Sequence, residues 1–304
     1  MKRKKPLYLC GPTAVGKSAV AIELAKRLGG EIVSVDSMQV YRGMDIGTAK
    51  PSAQERRDVP HHLIDVADLT ETFDAARFVR LATETEEQIV ARGKVAIYCG
   101  GTGLYFNALL QGLGEAPPSD PVIRRELENT ELAKLLEELR IKDPECFAVI
   151  DRNNPRRIIR ALEVIRITGK PFSQQRSVWK TVPNDALIVG LEMDRDELRQ
   201  RIATRACSMF ANGLVEETRA LLAKGLRENQ TASQALGYKQ VIDYLDGRHE
   251  LLFTATMVQT KTSQFAKRQM TWFKRQLPVQ WFTVGPNDSA RKIAQRLIDI
   301  HKLV

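Results

Sequence analysis

The sequence has no long apolar run. Its hydrophobic residues make up 43% of the chain, yet nowhere do they approach the roughly 18 consecutive positions that a bilayer crossing requires, so no membrane partner is expected. The basic opening Met1-Lys2-Arg3-Lys4-Lys5 lacks the apolar region of a secretory signal, because only Leu7-Tyr8-Leu9-Cys10 separates it from a glycine loop. Cysteine is sparse: Cys10, Cys99, Cys146 and Cys207 lie far apart, with no C-x-x-C pair and no metal-ligand spacing. That pattern excludes a disulfide framework or a cysteine-based zinc site and points to reduced thiols in a cytoplasmic protein. Internal repeats and low-complexity tracts are absent as well.

Acidic residues are the other scarcity, and their absence is local. None occurs from residue 251 to 287, where Lys261, Lys267, Arg268, Lys274 and Arg275 are interleaved with Phe265, Trp272, Phe273 and Trp281. Between residues 152 and 180, eight Lys or Arg face one acid, Glu163. These two stretches carry most of the net charge of +9 and favour a polyanionic partner.

What is present at the start of the chain is an alternation of strand and helix. Residues 7–10 are a short apolar run before a glycine loop, and residues 18–28 follow with apolar positions at helical spacing, stopped by Gly29-Gly30. Residues 31–36 and 94–99 read as strands, and residues 74–92 between them as a helix with Phe78, Leu81, Thr85 and Ile89 on one face. Such alternation implies a parallel sheet covered on both faces.

The alternation stops at Glu115-Ala116-Pro117-Pro118-Ser119-Asp120-Pro121, a cluster of breakers. Beyond it, Leu132, Leu135, Leu136 and Leu139 form one helical stripe, and Asn154-Pro155 opens a helix with Ile158, Leu162 and Ile165 on one face. A strand pattern returns at residues 186–193. The expected architecture is α/β, a P-loop NTPase-like parallel sheet core with a mainly helical insertion domain. The core takes residues 1–115, the insertion 116–184, and residues 185–304 complete the core and add basic C-terminal helices.

Gly11-Pro12-Thr13-Ala14-Val15-Gly16-Lys17-Ser18 matches G-x-x-x-x-G-K-[ST] between an expected strand and an expected helix, the context that gives the pattern its meaning. Glycines let backbone N–H groups converge on phosphate oxygens, Lys17 supplies a cation and Ser18 is a candidate Mg²⁺ ligand. The helix N-terminus adds partial positive charge. The loop identifies a phosphate-bearing ligand without fixing its fate. A kinase or ATPase normally places a magnesium carboxylate at the end of another strand. Here the strand ending at Cys99 delivers Gly100-Gly101-Thr102, whereas the strand from Ile32 delivers Asp36-Ser37. Asp36 is thus a magnesium carboxylate, a general base beside a bound diphosphate, or a solvated turn residue. A small-molecule kinase and a nucleic-acid-binding ATPase both remain open on these residues.

The chain resembles the tRNA dimethylallyltransferases, also called tRNA isopentenyltransferases. The resemblance rests on the phosphate loop, Val35-Asp36-Ser37-Met38-Gln39-Val40-Tyr41, Gly43-Met44-Asp45-Ile46-Gly47-Thr48-Ala49-Lys50-Pro51, Pro60-His61-His62 and Gly100-Gly101-Thr102-Gly103-Leu104-Tyr105. Asn154-Pro155-Arg156-Arg157, Gly237-Tyr238 and Lys267-Arg268-Gln269 extend it over nearly the whole chain. It implies that the loop holds the diphosphate of dimethylallyl diphosphate as a leaving group while an adenine N6 attacks the allylic carbon. The adenosine would lie beside the anticodon, in the anticodon stem-loop of a tRNA. Asp36 would accept the N6 proton, and Thr102 would hydrogen-bond at the reacting centre. Lys17, Ser18, Arg124 and Mg²⁺ would stabilise charge on the diphosphate. The resemblance also implies tRNA contacts at Asp36, Ser37, Met38 and Gln39, at Thr102 and Arg124, and along Arg156, Arg157, Ile158, Ile159 and Arg160. A monomer is expected.

Two further expectations concern residues that invite other readings. Arg156 and Arg160 share a helix face with Arg157 beside them, which suits either a track of phosphates or a solvated basic face. His61 and His62 are adjacent, so their side chains diverge, and a structural or hydrogen-bonding role is expected instead of a metal site. Eukaryotic members of the family can carry a C-terminal zinc finger; this sequence, ending at Val304, has no cysteines for one, and a bacterial origin is expected.

Overall fold

A computed structural model describes residues 5–113, 117–175, 182–183 and 186–301. The basic Met1–Lys4 lead, Glu115-Ala116 of the breaker cluster, Arg176 and Lys180 of the first basic stretch, and the insertion edges expected at 116 and 184 lie outside the described residues. So does Val304.

Strand β1 (Leu7–Cys10) leads through the glycine loop into α1 (Lys17–Leu28), which Gly29 closes in the left-handed conformation with its N–H on the Ala25 carbonyl. Next come β2 (Gly30–Val35), α2 (Ala53–Asp58) and β3 (His61–His62). Helix α2 is opened by a full capping box of Ser52 and Glu55. Helix α3 (Ala75–Ala91), capped by Asp74, leads to β4 (Val95–Gly100) and α4 (Gly103–Gln111).

Helices α5 (Pro121–Glu128), α6 (Leu132–Lys142), α7 (Pro144–Val149) and α8 (Pro155–Thr168) follow. The chain then returns as β5 (Leu187–Met193), α9 (Arg195–Ala211), α10 (Leu214–Leu222), α11 (Tyr238–Leu245), α12 (Leu251–Gln276), β6 (Gln280–Val284) and α13 (Ala290–His301).

The chain divides into two compact units, residues 1–110 with 182–304, and residues 111–181. In the first, six strands form one parallel sheet in the order β3-β2-β4-β1-β5-β6. Strands β1, β2 and β4 are buried along their whole length, as parallel strands covered on both faces must be. Strand alternation divides the core: Leu7 and Leu9 pack with α1 and α13 residues such as Leu24 and Leu297, while Tyr8 and Cys10 face Tyr98, Phe78 and Phe273. Strands β3 and β6 have no counterpart among the expected elements. The first is two residues long, and β6 lies within the acid-free stretch.

The second unit is helical. Leu127, Leu135, Leu139, Ile158, Leu162 and Ile165 form its core, and Leu132, expected in that stripe, is exposed. Helix α8 has the start that its sequence announces, for Asn154 accepts the Arg157 N–H and Pro155 sits in the first turn; Gly169 closes the helix at φ 70°. Glu163, fully buried, accepts Arg160 at 2.7 Å, lies 3.7 Å from Arg124, and takes hydrogen bonds from Ser119 and the Asp120 amide. No helix among the described residues is long and apolar enough to cross a membrane.

Candidate active site

Three loops leave the sheet side by side. Strands β2, β4 and β1 are neighbours, and Val35, Gly100 and Cys10 are register partners. Residues 11–17, 36–39 and 101–102 therefore emerge at one level on the C-terminal edge, where open α/β sheets hold ligands. They border a cleft of about 1500 Å³ that α9 and α12 also line.

The phosphate loop needs its glycines for two different reasons. Gly16 takes φ 99° just before α1, whereas Gly11, at φ 144°, also has no room for a side chain: a Cβ there would stand 2.5 Å from the Leu191 carbonyl oxygen. Ala14 adopts φ 65°, a left-handed conformation that costs a non-glycine residue about 1 kcal/mol. Thr13, Ala14, Gly16, Lys17 and Ser18 line the cleft. Gly11, Pro12 and Val15 are buried behind them, so their part is to shape the loop.

Lys17 donates to the Pro12 carbonyl at 2.5 Å. Burial pushes its ammonium down to about 8, the Arg205 guanidinium adding to the shift and Asp36 opposing it. Burial also lowers Arg205 from its ordinary value, again opposed by Asp36. Lys17, Arg205 and Asp36 thus sense one another across the cleft. Arg201, one turn earlier on α9, brings its guanidinium to 3.7 Å from where a Cβ on Gly16 would stand. Arg201 and Arg205 were not anticipated. Their signal was available as an i,i+4 arginine pair within a helical stretch, but such pairs are common on solvated faces.

Asp36 is half-buried, and its Oδ1 accepts the amides of Met38 at 2.8 Å and Gln39 at 3.2 Å. It is therefore a turn residue and a cleft residue at once. One oxygen organises the turn, and the other has no hydrogen bond among the described residues. Thr102 ties this turn to the β4 loop: its N–H donates to the Val35 carbonyl at 3.2 Å and its Oγ1 accepts the Ser37 amide at 3.0 Å. Gln39 is held by Ser34 at 2.9 Å and by the Thr48 carbonyl at 3.2 Å. Ser37, Met38 and Gln39 all line the cleft.

The neighbouring segment, residues 43–51, is pinned from outside. Glu217 accepts the amides of Asp45, Ile46 and Gly47, and Tyr238 donates to Glu217 at 2.6 Å while accepting the Gly47 amide at 3.1 Å. Glycine is required at 47 because a Cβ would overlap the Tyr238 ring.

The remaining sequence-derived candidates divide by burial. Arg156 and Arg157 are exposed on α8. Ile158 and Ile159 are buried in the helical unit, so their side chains are core and not a nucleic-acid surface, a correction to the expectation for 156–160. Arg160 is held by Glu163 and donates to the Pro117 carbonyl at 2.6 Å, and Arg124 is held by Glu128 at 3.0 Å and by Glu163. Their first role is to neutralise a buried carboxylate.

His61 Nδ1 bonds the Val59 carbonyl and His62 Nε2 bonds Glu31, each at 2.7 Å, which matches the structural role expected of them. Burial pushes the Cys10 and Cys99 thiols up to about 12 and about 11, which makes them unreactive. No group of three or more His, Cys, Asp or Glu among the described residues could hold a metal ion. Ser18 offers a hydroxyl at the cleft.

A parallel α/β sheet with a phosphate loop after β1, and a carboxylate facing the same cleft from the end of β2, defines a phosphate-loop enzyme. The chain belongs to the IPP transferase family, whose model matches residues 39–276. It is similar to the tRNA dimethylallyltransferase of Geobacillus thermodenitrificans, 44% identical over 96% of this chain and 95% of that protein. Among solved structures it is similar to the full-length tRNA isopentenylpyrophosphate transferase of Bacillus halodurans, with a TM-score of 0.71 and 41% identity over 99% of this chain and 97% of that one. It is also similar to a eukaryotic dimethylallyltransferase acting on tRNA, with a TM-score of 0.81 and 28% identity over 98% of this chain and 79% of that chain.

Proposed function

We propose that this protein transfers a dimethylallyl group from dimethylallyl diphosphate to N6 of an adenosine beside the anticodon of a tRNA, releasing diphosphate. The observation that carries the reading is the meeting of an anion-binding loop and a carboxylate, Asp36, in one cleft. The loop amides, Lys17 and Arg205 hold the diphosphate. The N6 lone pair forms the new C–N bond as the allylic C–O bond breaks, and that electron pair leaves with the diphosphate. Because the exocyclic amine is a weak nucleophile, loss of its proton to Asp36 assists attack. Thr102 fixes the turn that carries Asp36.

Mg²⁺ fits as the accompanying ion. Ser18 supplies a hard oxygen donor, and Mg²⁺ is commonly held by few protein ligands and by the phosphates themselves. When bound it would neutralise charge on the leaving group. The exposed Arg156 and Arg157, with Arg124 on the same helical unit, are proposed tRNA contacts through backbone phosphates. An adenine in a folded tRNA has to be unstacked before its N6 reaches a cleft of this kind.

The test is incubation with Mg²⁺, unmodified tRNA and dimethylallyl diphosphate labelled in the prenyl carbons, followed by nucleoside analysis. Label on N6 of one adenosine is expected. RNA without label, together with phosphate moved from ATP in a parallel reaction, would replace this reading with a kinase or ATPase.

A further inference from the structure

Gln269 of α12 joins the two halves of the cleft. Its Oε1 accepts the Thr13 amide of the phosphate loop at 2.9 Å, and its Nε2 donates to the Gly101 carbonyl at 2.9 Å. One buried amide thus spans the loop that follows β1 and the loop that follows β4. The amide uses both of its ends: its carbonyl oxygen accepts one backbone N–H and its NH₂ donates to one backbone C=O.

We propose that Gln269 is a positioning residue that keeps the phosphate loop in register with the loop carrying Thr102, and through Thr102 with Asp36. Three features of the structure support this. First, the two Gln269 bonds reach from Thr13 in one loop to Gly101 in the other, while Thr102 is bonded directly to Val35 and Ser37 on the far side. The Gln269 side chain is a polar tie between the two loops beyond the last paired residues of their strands, Cys10 and Gly100.

Second, the surroundings are built to seat it. A Cβ on Gly101 would overlap Gln269 Nε2, and a Cβ on Gly103 would overlap the Trp272 ring, so the glycines of this loop admit α12 at close range. Trp272 and Phe273 anchor the same turn of α12, Phe273 being fully buried against Phe106 in an edge-on contact at 5.7 Å. Third, the Thr13 amide is already engaged by Gln269, so it is not among the loop amides offered to an anion. Gln269 contributes order, not charge, to the anion site.

Under the function proposed above, the leaving group sits on one side of this tie and the proton acceptor on the other. Their separation then depends on Gln269, and a misplacement of about 1 Å can cost on the order of 100-fold in rate without loss of binding. The expected signature is a fall in kcat with KM preserved.

The test compares the wild-type protein with Gln269→Met, which keeps the volume and removes both hydrogen bonds. One readout is amide hydrogen exchange of residues 11–18 and 100–104 with and without inorganic diphosphate and Mg²⁺, which does not depend on prenyl transfer. In the wild type diphosphate should protect both segments; in the variant it should protect 11–18 alone. The other readout is steady-state transfer, where kcat should fall at least about tenfold with KM for donor and tRNA within about threefold.

If diphosphate protects both segments equally in the variant, or if kcat stays and KM rises, the proposal is overturned. Should the wild type transfer no prenyl group, the proposed function fails while the exchange readout still decides the tie. Where Gln269→Met does not fold, Gln269→Leu carries the same test, since it also removes both hydrogen bonds and adds no charge beside the loop.

Discussion

Asp36 and Glu163 are both carboxylates set among cations, one in each unit, and they are used in opposite ways. Glu163 is fully buried, and both of its oxygens are committed, to Arg160, Arg124, Ser119 and a backbone amide. Asp36 is half-buried with Lys17 and Arg205 within electrostatic reach, yet it forms no ion pair with either among the described residues, and only one of its oxygens is committed. The chemistry available to a carboxylate therefore follows from what its neighbours leave uncommitted. The same holds for the cations: Arg124, Arg160 and Arg166 of the helical unit are neutralised by Glu128, Glu163, Glu126 and Glu138, while Lys17 and Arg205 face the cleft.

The sharpest way to break this comparison is to neutralise each carboxylate in turn. Asp36→Asn keeps an acceptor for the Met38 and Gln39 amides and removes the proton acceptor. It should lower kcat by about 10² to 10⁴-fold in single-turnover assays, with tRNA affinity nearly unchanged in filter binding. A parallel loss of rate and affinity would reduce Asp36 to a turn residue.

Next in size is Lys17→Met, which should lower kcat/KM for the donor by on the order of 100-fold. Lys17 also sets a pH dependence. Its folded-state value is about 8 against an ordinary 10.5, so the free protein loses this cation as pH rises through about 8. Donor affinity should fall above that pH in titration calorimetry, and the break should vanish in Lys17→Met. The sign for stability is the reverse: the folded state binds fewer protons than the unfolded chain between about 8 and 10.5, so Lys17 makes the ligand-free protein more stable as pH rises across that window. Urea unfolding at the two ends would measure it.

Glu163→Gln should act on stability. It leaves two arginines without their buried partner, and because both are partly exposed the expected loss is about 2 kcal/mol, below the full penalty for a buried charge. Thermal unfolding of the variant measures it. The smallest effect belongs to Arg157→Ala, which should weaken tRNA binding a few-fold and reduce the slope of log affinity against log salt by about one. An unchanged slope would make this a solvated helix face.

How much of this was legible in the sequence follows from what each feature depends on. The phosphate loop, β1, α1 with its closing Gly29, and α8 with its opening Asn154-Pro155 were readable because local signals determine them: a glycine spacing, an apolar run, a capping residue and a closing glycine. Asp36 and Thr102 could be named from the strands that deliver them, and the sheet register accounts for their approach. Arg205 and Gln269 could not be assigned roles, since each depends on how α9 and α12 meet the loops over long sequence separations. Ile158 and Ile159 went the other way: contiguity in a motif suggested a contact surface, but helical periodicity sends their side chains inward. Strand β3 is too short to leave a pattern. Strand β6 is an edge strand whose buried positions, Phe282 and Val284, are only two, so its alternation is brief.

The central claim is that the phosphate loop holds a leaving group and not a phosphorus under attack. The most direct measurement uses dimethylallyl diphosphate with ¹⁸O in the oxygen bridging the allylic carbon and phosphorus, followed by mass analysis of the products formed with tRNA. Cleavage of the C–O bond predicts all the heavy oxygen in diphosphate and none in any prenyl product. Heavy oxygen retained in prenyl alcohol, with phosphate delivered elsewhere, would mean that phosphorus chemistry occurs at this loop and would contradict the account.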